Sequence, residues 1–231
     1  MNQPDISAVA PGGPRYRAVV LAMLFLVYTL NYVDRQILGI LAMNIKADLQ
    51  LSDSQLGLLG GLAFSLFYST LAVPFAIIAD RTSRTWVITV GVALWSFCTG
   101  LCGVATSFVT LLLARAGVSV GEAGGVAPSH ALISAYFPPG KRGFALAVFI
   151  TAVPIGSALA AFFGGYVAAT IDWRTAFIAL GLLGLVVAPL FRLIVREPAQ
   201  PVMARQPFKS SLATLTAKRS FWLISFGAAA N

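Results

Sequence analysis

The chain has 231 residues, of which 58% are hydrophobic and 10% are charged, and its formal net charge at pH 7 is +8. Soluble domains carry about 25% charged residues, so this composition excludes an ordinary water-soluble globular protein. Long apolar stretches recur along the chain, and the short alternating segments of a transmembrane β-barrel are absent from the sequence. We therefore predict an all-α polytopic membrane protein.

Six apolar stretches are predicted to cross the bilayer as helices, because a crossing needs about 20 apolar residues. In chain order they are Ala18–Ile45, Leu56–Ala79, Trp86–Val104, Phe108–Tyr136, Phe144–Thr170 and Thr175–Val195. The fourth and fifth are longer than a direct crossing requires, so we expect them to tilt or to extend beyond the lipid. Together the stretches predict a six-helix bundle over residues 18–195.

The segments outside this bundle indicate a longer protein. Residues 1–17 are expected to form a cytoplasmic tail, and residues 196–219, which are basic and contain proline, a cytoplasmic linker. Residues 220–231 begin another apolar run that is too short to cross a bilayer. We interpret that run as the start of a seventh helix and expect a second six-helix half to follow.

Lysine and arginine predict the orientation of the helices, since they are enriched in cytoplasmic connectors. If the amino terminus is cytoplasmic, the inner segments hold twelve of the 16 basic residues, whereas the outer connectors hold only Lys46 and Arg174. The prediction is a multi-pass protein of the cell (inner) membrane with a cytoplasmic amino terminus. The basic residues do not combine with aromatic residues on an amphipathic face, which argues against a nucleic-acid partner.

Four ionisable residues lie deep within the predicted spans: Asp34 and Arg35 in the first, Arg115 and Glu122 in the fourth. Each charge in hydrocarbon costs roughly 2.5–3.5 kcal/mol on insertion scales, and such residues usually mark functional sites. The two spans run in opposite directions, which allows the acids similar depths, and Arg115 and Glu122 share a helical face. We predict a paired cluster beside a water-filled cavity, with His130 as a further ionisable neighbour. A proton relay or substrate site and a structural ion-pair network both fit this pattern.

Small residues in the fourth span predict close helix packing. Gly117, Gly121 and Gly125 repeat every four residues and form a smooth strip for a neighbouring helix. Pro128 and the pair Gly124–Gly125 weaken the helix just after its buried acid. Breaks of this kind often accompany cavities in transporters.

The connector ADRTSRT, residues 79–85, joins the second and third spans. An ordinary positively charged cytoplasmic loop would account for its arginines. Asp80 works against that explanation, because Arg81 and Arg84 can pair with it and with helix ends. We therefore also consider an intracellular latch.

These motifs resemble those of a known family. The Asp-Arg-x-x-Arg turn resembles the signature loop of the major facilitator superfamily, and six spans followed by a basic linker resemble the amino-terminal half of its two-bundle fold. In order along the chain, NYVDRQ, RAGVSVGEAGGVAPS, VPIGSALA, DWRTAF and VREP are similar to the spinster branch, whose animal members export lysolipids and sphingoid-base phosphates. An Asn-Tyr-x-Asp-Arg first helix is also found in organic-anion symporters.

The signature loop departs from the superfamily pattern at three positions. Ala76 stands where a glycine is usual, Ser83 stands where a glycine precedes the final loop arginine, and Thr85 replaces a common basic residue. These departures indicate a looser latch than usual.

The resemblance implies roles for individual residues. The proton-coupling candidates would be Asp34 and Glu122. The substrate contacts or charge partners would be Arg35, Arg115, Asn31, Tyr32, Tyr68 and His130. The conformational latch would be Asp80, Arg81 and Arg84.

The resulting hypothesis is a secondary active transporter that works by alternating access of two three-helix repeats and is driven by protons. The resemblance implies an amphiphilic, lipid-like anionic substrate; a proton symporter for small organic anions or sugar acids, or a non-transporting membrane scaffold, is the alternative. The sequence lacks the His-Glu-x-x-His and Gly-x-Ser-x-Gly motifs, so an enzyme is not expected. Cys98 and Cys102 indicate apolar packing rather than a metal site, and we expect no cofactor.

Overall fold

A computed structural model describes residues 12–170 and 172–198, together with residues 217, 218, 220 and 222. The chain divides into two compact units, Met1–Pro198 and Ala199–Asn231. Nearly all of the second unit, and with it most of the predicted linker and seventh helix, lies outside the described residues. Within the described part of the chain every regular element is helical.

The predicted helical bundle is present, and its helices have the following bounds. The elements are α1 Pro14–Ile40, α2 Ala42–Leu49, α3 Asp53–Gly57, a π-helical turn Leu58–Leu62, α4 Ala63–Arg81, α5 Arg84–Gly103, α6 Phe108–Ala123, α7 Val126–Tyr136, α8 Pro139–Ile150, α9 Ala152–Thr170 and α10 Trp173–Ile194. Among the described residues these elements form six membrane-length spans, and each corresponds to one predicted stretch. The chain is thus a multi-pass membrane protein.

Among the described residues, two of the spans contain a break of one or two non-helical residues, and each break precedes a proline by four residues or fewer. Helix α6 gives way to α7 at Gly124–Gly125, just before Pro128, and α8 gives way to α9 at Thr151, just before Pro154. Proline has no amide hydrogen for the carbonyl four residues earlier, and its ring crowds that carbonyl. The break predicted after Glu122 is therefore confirmed.

The packing of the spans has the internal symmetry of two three-helix repeats. The first span packs on the fifth through α1 and α9, the second on the fourth through α4 and α6, and the third on the sixth through α5 and α10. Exchanging the first three spans with the last three leaves these three pairs unchanged, whereas the close packing of the third span on the fourth, α5 on α6, has only a minor counterpart between α1 and α10. Two equivalent repeats, as predicted from the resemblance, therefore account for the arrangement.

Glycines allow the closest of these helix contacts. A Cβ atom on Gly121 of α6 would lie 2.6 Å from the backbone nitrogen of Trp95 and 2.8 Å from the carbonyl oxygen of Gly91, both on α5. A Cβ on Gly117 would lie 2.5 Å from Sγ of Cys98. The predicted smooth strip is confirmed at these two positions, where it brings α6 against α5.

At the end of the bundle opposite the start of α1, Arg174 contacts residues of the neighbouring interhelical connectors. Its guanidinium pairs with Asp48, donates to the carbonyl oxygen of Ala105 over 3.2 Å, and lies 4.3 Å from the centre of the Trp173 ring. One side chain therefore holds three connectors together.

Candidate functional site: a paired charge cluster beside a cavity

The four buried charges of the first and fourth spans form two ion pairs. Nε of Arg35 donates to Oε2 of Glu122 over 2.6 Å, and Nη1 of Arg115 lies 3.8 Å from Oδ1 of Asp34. Both pairs connect α1 to α6, and their formal charges sum to zero. The predicted cluster is therefore present, with each arginine paired to the acid of the other helix.

Helix α5 supplies a further contact to this cluster. Thr99 donates its hydroxyl to Oδ2 of Asp34 over 2.6 Å, and both residues are buried. Nothing in the sequence around Thr99 distinguished it from other hydroxyls in apolar helices. The hydrogen bond ties the first and third spans together at the depth of the charges.

The carboxylates are shielded, whereas one guanidinium is partly open. The side chain of Glu122 is 0% exposed and that of Asp34 is 4% exposed, against 25% for Arg35. Removing one partner of a buried pair leaves an uncompensated charge, which typically costs about 3–5 kcal/mol. Each acid therefore depends on its arginine, or on a bound proton, for charge compensation.

A cavity of about 480 Å³ opens beside the cluster between α1, α4 and α6. Both arginines line it, and neither carboxylate does. The other lining residues are Tyr32, Gln36, Gly60, Phe64, Ser65, Tyr68 and Ser69. This volume falls within the range of small-molecule sites, about 300–1,000 Å³. A ligand in the cavity would meet the guanidinium of Arg35 first, because the side chain of Arg115 is only 3% exposed.

Aromatic rings surround the Arg35 guanidinium. Its central carbon lies 5.4 Å from the ring centre of Tyr32, 5.1 Å from that of Phe64 and 4.5 Å from that of Tyr68. Phe64 and Tyr68 are four residues apart on α4, so they share a face and stack at 6.0 Å. Phe64 also lies 5.4 Å from the central carbon of Arg115. The cavity thus combines two positive charges with apolar walls.

Two sequence-predicted substrate contacts are not among the cavity-lining residues. Asn31 is buried within the bundle. His130 is exposed on α7, and its ring meets Phe149 edge-on at 5.5 Å. Phe149 itself is stacked on Tyr28 at 4.5 Å. A direct role of Asn31 or His130 at the cavity remains only a prediction from the sequence.

The predicted latch lies at the end of the bundle where α1 begins. Asp80 near the end of α4 and Arg84 at the start of α5 pair at 3.8 Å across the turn between the two helices, while the side chain of Arg81 is exposed. The stronger contacts involve Glu197, which the sequence marks only as part of the motif VREP. Its Oε2 accepts hydrogen bonds from Oγ of Ser83 at 2.7 Å and from the backbone nitrogen and Oγ1 of Thr85, both at 2.9 Å.

These hydrogen bonds determine the charge state of Glu197. Burial opposes its ionisation, but the donors at the start of α5 outweigh that effect and lower the pKa of the Glu197 carboxyl below its usual value. A carboxylate at a helix amino terminus is also favoured by the helix dipole. Glu197 therefore fixes the segment after α10 to the start of α5.

Two tyrosines hold the same segment. Tyr16 donates to the carbonyl oxygen of Ile194 at 2.9 Å and accepts from the backbone nitrogen of Arg196 at 3.0 Å. Tyr136 donates to the carbonyl oxygen of Arg196 at 2.5 Å, and the two rings meet edge-on. We call these residues, together with Ser83, Thr85 and Val195–Glu197, the basic-end clasp.

Comparison with known proteins identifies the family to which this six-span bundle belongs. The pattern of the Major Facilitator Superfamily matches residues 24–231. The chain belongs to this superfamily. An MFS-type efflux pump of Mycolicibacterium smegmatis is 37% identical over 221 residues, which are 94% of this chain and 51% of the pump. The hexuronate transporter of Bacillus subtilis is 30% identical over 188 residues, 81% of this chain and 44% of that protein.

A solved structure shows the same fold. A bacterial homologue of the human lysosomal transporter Spinster, in an inward-facing and unoccupied conformation, superposes with a TM-score of 0.80 at 34% identity. The match covers 94% of this chain and 53% of that one. The chain spans about half the length of the relatives it matches. It is an amino-terminal half of a major facilitator fold with spinster-like sequence.

The structure explains two of the positions at which this chain departs from the superfamily's signature loop. Ser83 and Thr85, which replace a glycine and a basic residue, are the side chains that donate to Glu197. Ser83 also caps α5 by accepting from the backbone nitrogen of Trp86. The departures therefore provide contacts to Glu197. The looser latch stays a prediction from the sequence.

Proposed function

We propose that the chain is the amino-terminal half of a proton-coupled secondary transporter for anionic substrates that works by alternating access. The observation that carries the proposal is the neutral set of two ion pairs whose arginines line the cavity and whose acids lie behind them. Membership of a transporter superfamily supports it, as does the similarity to named transporters.

Charge balance gives the coupling its mechanism. An anion bound by Arg35 and Arg115 competes with Glu122 and Asp34 for the same guanidinium groups. An acid that loses its arginine would be a buried, uncompensated charge unless it takes up a proton. Binding an anion together with a proton keeps the cluster neutral. Releasing both restores the two internal ion pairs.

The cavity favours an anionic head attached to an apolar body. Two guanidinium groups suit a carboxylate or phosphate, and the rings of Tyr32, Phe64 and Tyr68 suit apolar carbon. The spinster-like sequence favours a lipid-like substrate such as a lysophospholipid. The similarity to a hexuronate transporter supports a second candidate, proton symport of sugar acids.

The exposed faces fit a second six-helix half. In the most apolar 18-residue stretches of the second and fifth spans, 6% and 22% of residues are buried, against 33–61% in the other four spans. The two spans are equivalent under the repeat symmetry, so a related half can cover both. We further propose that the basic end is cytoplasmic and that the protein belongs to the cell membrane, following the distribution of Lys and Arg.

Transport by the complete protein in proteoliposomes tests this function. Radiolabelled lysophosphatidylglycerol and glucuronate serve as the two probes, each with and without an imposed proton gradient. We expect gradient-driven movement of one probe in the wild type and none in Asp34→Asn or Glu122→Gln. Asp53→Asn is the matched control, because its side chain is 88% exposed and pairs with Lys46 away from the cluster.

Two results would count against the proposal. Gradient-driven transport that persists unchanged in both acid variants would remove the acids from the mechanism. Movement of neither probe by the wild type would remove the proposed substrate classes. Movement of glucuronate but not of the lysolipid would select the second candidate.

A further inference from the structure

A second, much smaller cavity lies next to Asp34. It has a volume of about 10 Å³ and is lined by Leu30, Asp34, Trp95, Ser96, Thr99, Leu180 and Gly184. These residues come from the first, third and sixth spans, so the cavity is separate from the large one, which α1, α4 and α6 enclose. A space of roughly 10–15 Å³ by this measure holds a single water molecule.

Two oxygens at this cavity have no hydrogen-bond partner. Ser96 is only 1% exposed, and its Oγ has no hydrogen-bond partner. Oδ1 of Asp34 also lacks a hydrogen bond, since Arg115 is 3.8 Å away. Thr99 contributes a third oxygen, whose hydrogen is already donated to Asp34. Leaving a buried polar group unsatisfied is unfavourable, particularly for a charged group.

The position of Ser96 follows from a glycine on the facing helix. A Cβ on Gly184 of α10 would lie 2.0 Å from Oγ of Ser96. The absence of a side chain there lets the hydroxyl point across the helix interface, towards the cavity. The site is therefore built from three helices.

We propose that a single water molecule is bound in this cavity, hydrogen-bonded to Asp34, Ser96 and Thr99. Water can donate to Oδ1 of Asp34 and to Oγ1 of Thr99 while it accepts from Ser96, which satisfies both unpaired oxygens. A neutral ligand fits better than a sodium ion, because the two acids are already balanced by two arginines and three oxygens are too few for a metal cage.

The water gives Oδ1 of Asp34 a hydrogen-bond partner besides Arg115, whose Nη1 lies 3.8 Å from the same oxygen. This role rests on the proposed function, in which Arg115 leaves Asp34 to bind the substrate. With the water and Thr99 in place, the carboxyl group keeps two hydrogen-bond partners while its arginine is engaged elsewhere. The water is therefore a positioning element for Asp34, not a substrate contact.

The site is tested on the complete protein by a structure at a resolution that shows ordered waters. We expect a density peak about 3 Å from the three oxygens in the wild type. Ser96→Cys replaces the hydroxyl by a larger sulfur atom that fills the cavity, and the peak should disappear. Ser129→Cys is the matched control, because Ser129 is equally buried but its hydroxyl donates to the Gly125 carbonyl oxygen at 2.7 Å.

Transport tests the role of the water. Ser96→Cys should lower the maximal rate about tenfold, the effect of losing a hydrogen bond to a charged group, and leave KM for the transported probe unchanged. Ser129→Cys should do neither. A wild-type structure without the peak, or a peak that forms only in sodium-containing buffer, would overturn the bound water. Wild-type kinetics in Ser96→Cys would overturn its role.

These outcomes are distinct from failure of the proposed function. That failure would be seen as unchanged proton coupling in Asp34→Asn, a result that leaves the wild-type density peak unaffected.

Discussion

The two polar regions of the bundle differ in how completely their acids are satisfied. In the charge cluster, Asp34 is 3.8 Å from its arginine, and both Oδ1 of Asp34 and Oε1 of Glu122 lack a hydrogen bond. In the basic-end clasp, one oxygen of Glu197 accepts three hydrogen bonds, all of 2.9 Å or less. Asp34 is therefore an acid that can exchange partners, whereas Glu197 is fixed in place.

The difference also follows from what surrounds each acid. Glu197 meets donors that belong to the backbone and to short side chains at the start of α5, which cannot move independently of the helix. Glu122 meets Arg35, whose long side chain is partly open to the cavity. Under the proposed function the cluster rearranges in each cycle, whereas the clasp keeps four spans together throughout.

The largest effect is expected from breaking the pair of Arg35 and Glu122. Arg35→Ala should lower the free energy of unfolding of the bundle by about 3–5 kcal/mol, because Glu122 is left buried without a partner. The double variant Arg35→Ala, Glu122→Ala should be less destabilised than the single one. Chemical denaturation in detergent measures both. A double variant less stable than Arg35→Ala would contradict the pairing.

The basic-end clasp should give a smaller loss of stability and no loss of substrate affinity. Glu197→Gln keeps the shape but removes the charge from three hydrogen bonds, so we expect a loss of about 1.5–3 kcal/mol in unfolding free energy. The KM of transport should stay at the wild-type value. Asp172→Asn is a suitable control, since Asp172 precedes α10 and makes no side-chain cap. A changed KM in Glu197→Gln would place the clasp in the substrate path.

The pH dependence of the clasp has a definite sign. Because the pKa of Glu197 is lowered in the folded protein, ionisation of Glu197 stabilises the fold above the carboxyl's ordinary pKa. That contribution is lost as the pH falls through the lower, folded-state pKa. The stability difference between wild type and Glu197→Gln should therefore be constant from neutral pH to about pH 5 and shrink below it. A difference that already shrinks between pH 7 and pH 6 would contradict the lowered pKa.

The smallest effect is expected from the aromatic wall of the cavity. Tyr68→Leu removes the ring nearest to the Arg35 guanidinium, and we expect KM to rise about two- to fivefold, the equivalent of a partly exposed cation–π contact. Tyr166→Leu is the control, because Tyr166 is 62% exposed and is not among the residues that line the cavity. Equal KM values in the two variants would show that the ring does not hold Arg35 for the substrate.

The sequence was sufficient to predict the spans and the presence of a charge cluster. Apolar length determines a membrane helix, and the glycine pair Gly124–Gly125 followed by Pro128 weakens the helix locally. Proline alone is not enough, since Pro74 and Pro189 lie inside α4 and α10. Each of two antiparallel spans carries one acid and one arginine, and pairing them with each other is the simplest way to neutralise all four charges in the bilayer. The spans and the break depend on residues that are neighbours in sequence, whereas the cluster follows from the cost of an unpaired charge in the bilayer.

The pairing within the cluster depended on helix rotation, which the sequence does not determine. Asp34 and Arg35 point about 100° apart on α1, so one faces Thr99 and Arg115 while the other faces Glu122 and the cavity. Thr99 carries no local signal, because isolated hydroxyls are common in membrane helices. Glu197 was missed for a similar reason, since its partners are 112 and 114 residues away in sequence.

The measurement that tests the central claim most directly is proton uptake when substrate binds. The purified complete protein is placed in weakly buffered detergent with a pH indicator, and lysophosphatidylglycerol or glucuronate, whichever is transported, is added. The account predicts that the wild type takes up a proton for each bound anion, and that Asp34→Asn combined with Glu122→Gln binds the anion without proton uptake. Anion binding to the wild type with no change in bound protons would contradict it.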